Sequence, residues 1–109
     1  MSQGGAQAGQ AFEFGPTGPG RFAVRGAMTF ETAVRLHAAG LAALGASTEP
    51  TLELDCAAVG NADSAGLAVL VDWLAWARAS GRTLRLKNVP AKLLDIARIS
   101  ELDELLVPA

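Results

Sequence analysis

Leu52, Leu54 and Cys56 alternate with Thr51, Glu53 and Asp55, which predicts a strand buried on one face and wet on the other. The same period of two recurs twice. In Arg21 to Arg25, Phe22 and Val24 oppose the two arginines, and in Thr83 to Lys87, Leu84 and Leu86 oppose Arg85 and Lys87. A short strand at Phe12-Glu13-Phe14 precedes the turn-rich Gly15-Pro16-Thr17-Gly18-Pro19-Gly20, so the first two strands are predicted to form an antiparallel pair.

Three segments carry a helical period instead. The first runs from Phe30 to about Leu44, with Thr29 as its cap and an inward stripe of Phe30, Ala33, Val34, His37, Leu41 and Leu44. The second follows the polar turn Gly60-Asn61-Ala62-Asp63, opens at Ser64 and closes at Gly81, a residue suited to end a helix. Its predicted sheet-facing stripe is Leu67, Leu70, Val71, Leu74 and Ala77. The third has Pro90 at its first turn and packs through Leu93, Leu94, Ile96 and Ala97. After Ser100, one more helical turn is expected before Leu106 and Val107 pack inward.

The order β-β-α-β-α-β-α predicts an α/β fold with a mixed sheet and crossover helices. Parallel strands covered on both faces read as continuous apolar runs. Strands with a polar face therefore place every helix on one side of the sheet and leave the other side solvent-exposed. Opposite charges are expected to face each other there.

Composition narrows the function classes. A chain of 109 residues, half of them hydrophobic, supports one domain with a modest core. Residues 1–11 are small and polar and read as a flexible tail, with the folded domain over 12–109. One cysteine excludes an internal disulfide and fits a reducing compartment. With net charge −2 and scattered basic residues, there is no electrostatic footprint for nucleic acid. The apolar run from Ala65 stops at Asp72, short of the roughly 20 residues of a membrane span. Together these predict a cytoplasmic domain without direct membrane insertion.

Catalysis finds little support. Ala62-Asp63-Ser64-Ala65-Gly66 lacks the first glycine of a nucleophile elbow, and His37, the single histidine, falls on the stripe predicted to face inward. No metal-ligand cluster or cofactor motif is visible. Ser64 has two readings. It is a helix cap, whose loss typically costs about 1 kcal/mol, or a hydroxyl displayed at a helix's positive end, where a partner can read or phosphorylate it. A second candidate surface lies on the same helix. Val69, Trp73 and Trp76 project roughly 100–140° from the centre of the sheet-facing stripe, with Asp72 beside them. Aromatic residues away from a core favour a partner surface.

Leu52-Glu53-Leu54-Asp55, then Asp63-Ser64-Ala65-Gly66-Leu67, then Gly81-Arg82-Thr83-Leu84-Arg85-Leu86 resemble the STAS domain family over about residues 12–107. The runs Gly26 to Ala33, Leu67 to Leu74 and Ala97 to Leu106 are similar to its MlaB branch. That resemblance implies a non-catalytic cytoplasmic subunit, peripheral to the inner membrane. It would bind the MlaF-type ATPase of a phospholipid-transporting ABC complex, and through it the permease, supporting outer-membrane lipid asymmetry. The expected contact residues are Asp63, Ser64, Ala65, Gly66, Val69, Asp72, Trp73 and Trp76. The alternative implied by the same family is an anti-sigma factor antagonist switched by phosphorylation of Ser64.

Overall fold

The computed structural model describes residues 11–106; the tail expected over residues 1–10 and the packing expected of Val107 lie outside them. Four strands, β1 (Phe12–Gly18), β2 (Arg21–Met28), β3 (Thr51–Ala62) and β4 (Thr83–Lys87), form one sheet in the order β1-β2-β3-β4. β1 and β2 are antiparallel, whereas β2–β3 and β3–β4 are parallel. Among the described residues, four helices accompany the sheet: α1 (Ala33–Ala46), α2 (Ser64–Ala79), α3 (Ala91–Ile99) and the single turn α4 (Asp103–Leu106). This is the mixed α/β sheet with helices on one face that the alternation predicts.

The strands' inward residues Phe22, Val24, Leu52, Leu54, Cys56 and Leu84 join Leu67, Leu70, Trp73, Leu93 and Leu106 in one core. Arg25 and Glu13 approach to 3.6 Å on the wet face, as do Lys87 and Glu53 at 3.2 Å. Exposed pairs of this kind contribute little to stability.

Three boundaries differ from the sequence reading. β1 continues through Gly15-Pro16-Thr17 to Gly18, and only Pro19-Gly20 turns, with Gly20 at φ 70°. Pro16 is tolerated because β1 is an edge strand. Ala11, assigned to the tail, accepts a 2.8 Å hydrogen bond from the Ala27 amide. β3 runs on through Gly60 and Asn61 to Ala62, accommodated by register shifts against β2.

The start of α1 is also corrected. Thr29 does not cap the helix; residues 29–32 form a turn closed by Thr32, whose Oγ1 accepts from the Thr29 amide at 3.0 Å and donates to the Ala27 carbonyl at 2.9 Å. The inward face of α1 is Leu36, Gly40 and Leu44, continuing Thr32. Val34 sits two residues from Leu36, roughly 200° around the helix, and so points outward with Phe30. His37 is half-buried rather than in the core. The stripe chosen from hydrophobicity loses because Gly40 allows the closest approach of α1 to its neighbour.

Candidate functional site: the serine turn and its two helices

The site is organised by Asp63. Its Oδ1 accepts from the amides of Ala65 at 2.9 Å and Gly66 at 3.3 Å, making Asp63, not Ser64, the N-cap of α2. Its Oδ2 accepts from the Phe30 amide at 3.0 Å, which ties the turn before α1 to the start of α2. Aspartate outcompetes the neighbouring serine because one carboxylate serves both helix amides and still has an oxygen for a third donor. Ser64 is thereby relieved of capping. It stands as the first helical residue, exposed, at the positive end of α2.

Gly66 is buried, and its role is internal. A Cβ there would collide with the backbone carbonyl of Met28, so glycine is what lets α2 begin directly against the end of β2. Gly66 was expected to contact a partner; the chain's own β2 fills that space instead. Ala65 is half-buried beside it.

The aromatic surface expected on α2 is corrected in the same way. Trp73 is 0% exposed and Val69 is buried. The Trp73 ring lies against Gly40 of α1 and meets Phe14 of β1 edge-on, with centroids 5.2 Å apart. Its Nε1 donates to the His37 carbonyl at 3.2 Å, so the polar tip is satisfied indoors. Trp76 is half-buried, with the Arg82 guanidinium 5.5 Å from its ring centroid. The sheet covers one arc of α2 and α1 covers the next, which absorbs the side that helical geometry left open.

On the half of α2 that begins at the serine turn, the row Ser64, Ala68 and Asp72, at spacings of four, is exposed. Across from it, Phe30 is 78% and Val34 is 83% exposed. The two rows are tied at one end by the Asp63–Phe30 bond and at the other by His37 Nε2, 3.4 Å from Asp72 Oδ2. Thus Asp63, Ser64 and Asp72 lie along one face. Phe30 and Val34, assigned to the core from sequence, join them there. The signal for this was Gly40, a helix-interior glycine whose cost is explained by close packing of its own, inward face of α1 against Trp73, which turns Val34 outward.

This arrangement presents a hydroxyl, a carboxylate and two large apolar side chains on one exposed surface. Among the described residues, no group of three His, Cys, Asp or Glu could hold a metal ion. Cys56 is buried under the sheet, and that burial, with Asp55 beside it, pushes its thiol up to about 12, leaving it an inert core side chain. No described helix is long and apolar enough to cross a membrane.

The family model described as "Mlab, STAS domain" matches residues 16–108. The chain belongs to the STAS domain family. No curated protein matches it at significant sequence similarity. Among solved structures, this STAS domain is similar to the anti-sigma factor antagonist SpoIIAA in its unphosphorylated form, with TM-score 0.68 and 16% identity over 91% of this chain and 88% of that one. An anti-sigma factor antagonist from Mycobacterium paratuberculosis gives 0.67 and 20% identity, covering 91% of this chain and 87% of that one. SLC26A9 gives 0.67 and 17% identity, covering 77% of this chain and 16% of that one. At these identities the structural likenesses establish a shared STAS fold.

Proposed function

We propose that this STAS domain is a non-catalytic cytoplasmic docking subunit. It binds the MlaF-type ATPase of a phospholipid-transporting ABC complex, is held at the inner membrane through that partner, and supports the complex's assembly and activity. The observation that carries this reading is the exposed pair Phe30 and Val34 beside Ser64, in a chain matched by the MlaB family model. Two large apolar side chains this exposed are costly on a free surface and useful when desolvated against a groove. Ser64 supplies a short polar contact next to them.

Such binding acts by mass action: a subunit that engages only the assembled ATPase shifts the equilibrium toward it. The test is co-purification with the ATPase. Ser64→Arg places an unmatched charge in the desolvated contact and is expected to weaken binding about tenfold or more. Undiminished capture of the ATPase by that variant overturns the reading.

A second reading is favoured by the exposure of Ser64 at a helix N-terminus: an anti-sigma factor antagonist switched by phosphorylation there. Incubation with an anti-sigma kinase and ATP, followed by mass spectrometry, is then expected to place a phosphoryl group on Ser64. Partner identity in a membrane-fraction purification separates the two, an ABC ATPase supporting the first and an anti-sigma factor the second.

A further inference from the structure

β4 is the other edge of the sheet, remote in sequence from the serine turn, and its outer side has no strand partner among the described residues. The Thr83 amide donates to the Pro50 carbonyl at 3.0 Å, so Thr83 faces β3, and with it Arg85 and Lys87. Backbone groups of successive strand residues alternate sides, which turns the amides and carbonyls of Leu84 and Leu86 toward the open edge. None of these four groups has a hydrogen-bond partner among the described residues outside the β3–β4 ladder.

A groove of about 1100 Å³ runs along this edge between β4, α2 and α4. On its inner side it is lined by Leu74, Leu86, Leu94 and Leu105, the last 42% exposed. Its charged lining is Arg78, Arg82, Arg85 and Lys87 against Glu53 and Glu104, a cationic excess on a protein whose net charge is −2. Lys87 already pairs with Glu53, and Arg82 donates to the Leu44 carbonyl at 3.1 Å; Arg78 and Arg85 have no carboxylate within salt-bridge distance among the described residues.

We propose that this edge binds an extended segment of a partner protein as a fifth strand, and that the segment alternates large aliphatic and acidic residues. Residues opposite Leu84 and Leu86 point into the apolar groove, and residues opposite Arg85 and Lys87 point to the wet face. The chain shows what satisfies β4, because on its other side β3 sets Leu52-Glu53-Leu54-Asp55 against Leu84-Arg85-Leu86-Lys87 in register. The open edge asks for the same pattern again. A second copy of the chain is the poorer occupant: antiparallel self-pairing centred on Arg85 sets that cation against itself. Nor do residues 1–10, which hold no carboxylate, or Val-Pro-Ala at 107–109 carry the pattern.

The test uses the full chain, isotope-labelled, with two blocked six-residue peptides, one alternating leucine with glutamate and the other leucine with lysine. The leucine–glutamate peptide is expected to shift and protect the Leu84 and Leu86 amides from exchange, with the lysine peptide at least about tenfold weaker. Arg85→Glu, checked for folding by circular dichroism, is expected to reverse that preference, whereas Phe30→Asp leaves peptide binding unchanged because it lies on the other surface. Equal binding of the two peptides, or no response at Leu84 and Leu86, overturns the proposal. Protection of those amides that rises with protein concentration in the absence of peptide also overturns it, by assigning the edge to self-association.

Discussion

The Trp73 indole of α2 donates to the His37 carbonyl of α1, and its six-membered ring occupies the space that a side chain on Gly40 would need. One contact therefore sets the separation of the two helices that carry the exposed site. Gly40→Ala gains about 1 kcal/mol in helix propensity but forces a methyl group into the indole, an overpacking cost of about 1–3 kcal/mol. A net loss of stability in urea unfolding is expected, and a stabilised variant would show that α1 can move away from Trp73 freely.

Asp63 joins three amides from two elements, so its removal is expected to exceed the loss of an ordinary cap. Asp63→Ala should cost about 2 kcal/mol or somewhat more, combining a cap with a hydrogen bond to a charged acceptor. Asp63→Asn, which keeps an oxygen for one side, should fall between. Ser64→Ala should change stability by no more than a few tenths of a kcal/mol. Equal losses at the two positions in denaturant melts would return the capping role to the serine.

Phe30→Asp and Val34→Lys should leave the folded domain intact and abolish partner binding, because both side chains are in water before the partner arrives. Trp73→Glu should do the opposite and unfold the domain, since it buries an unpaired charge in the core. Far-ultraviolet circular dichroism alongside a pull-down separates the two outcomes. A Phe30→Asp variant that still binds would remove this face from consideration.

Cys56 should react slowly with iodoacetamide at pH 8 in the folded protein and quickly in denaturant, as its raised pKa and complete burial require. Mass spectrometry at fixed times measures both rates. Fast native labelling would mean that the sheet opens locally at β3.

Asp55 behaves in the opposite sense. The Asn88 side chain, 3.0 Å from its Oδ1, and then the Ala57 amide at 2.9 Å hold its carboxyl below the usual carboxylate range. A depressed folded pKa stabilises the protein fully above the unfolded value of about 3.9, and that contribution disappears as pH falls through the folded value. Asn88→Ala should therefore shift the Asp55 carboxyl titration upward by NMR and flatten the acid limb of the stability profile. An unmoved titration midpoint would leave the Ala57 amide and the nearby Lys87 charge as the causes.

The fold was legible because three strands alternate so regularly that one face had to be wet: Phe22 with Val24, Leu52 with Leu54, and Leu84 with Leu86 all point inward as read. The site was legible only in part. Asp63 and Ser64 declared themselves by position, but which of them caps depends on the Phe30 amide, 33 residues away in sequence. Leu44 was read inward and is, but the rest of the α1 face escaped because Phe30 and Val34 outweigh Leu36 in hydrophobicity, while the deciding residue, Gly40, scores as nothing until Trp73 is placed against it. Trp73 and Val69 escaped for the matching reason: a single helix does not reveal that a second helix covers its flank.

The carboxylate of Asp63 has spent its oxygens on three amides, two of them the donors a newcomer at the head of α2 would seek. A phosphoryl group attached to Ser64 would find no vacant cradle in its own fold and a negative neighbour at its side. It would stay turned toward solvent, leaving its host's shape unaltered. A covalent mark at this position would be legible only to whatever approaches from outside, as repulsion.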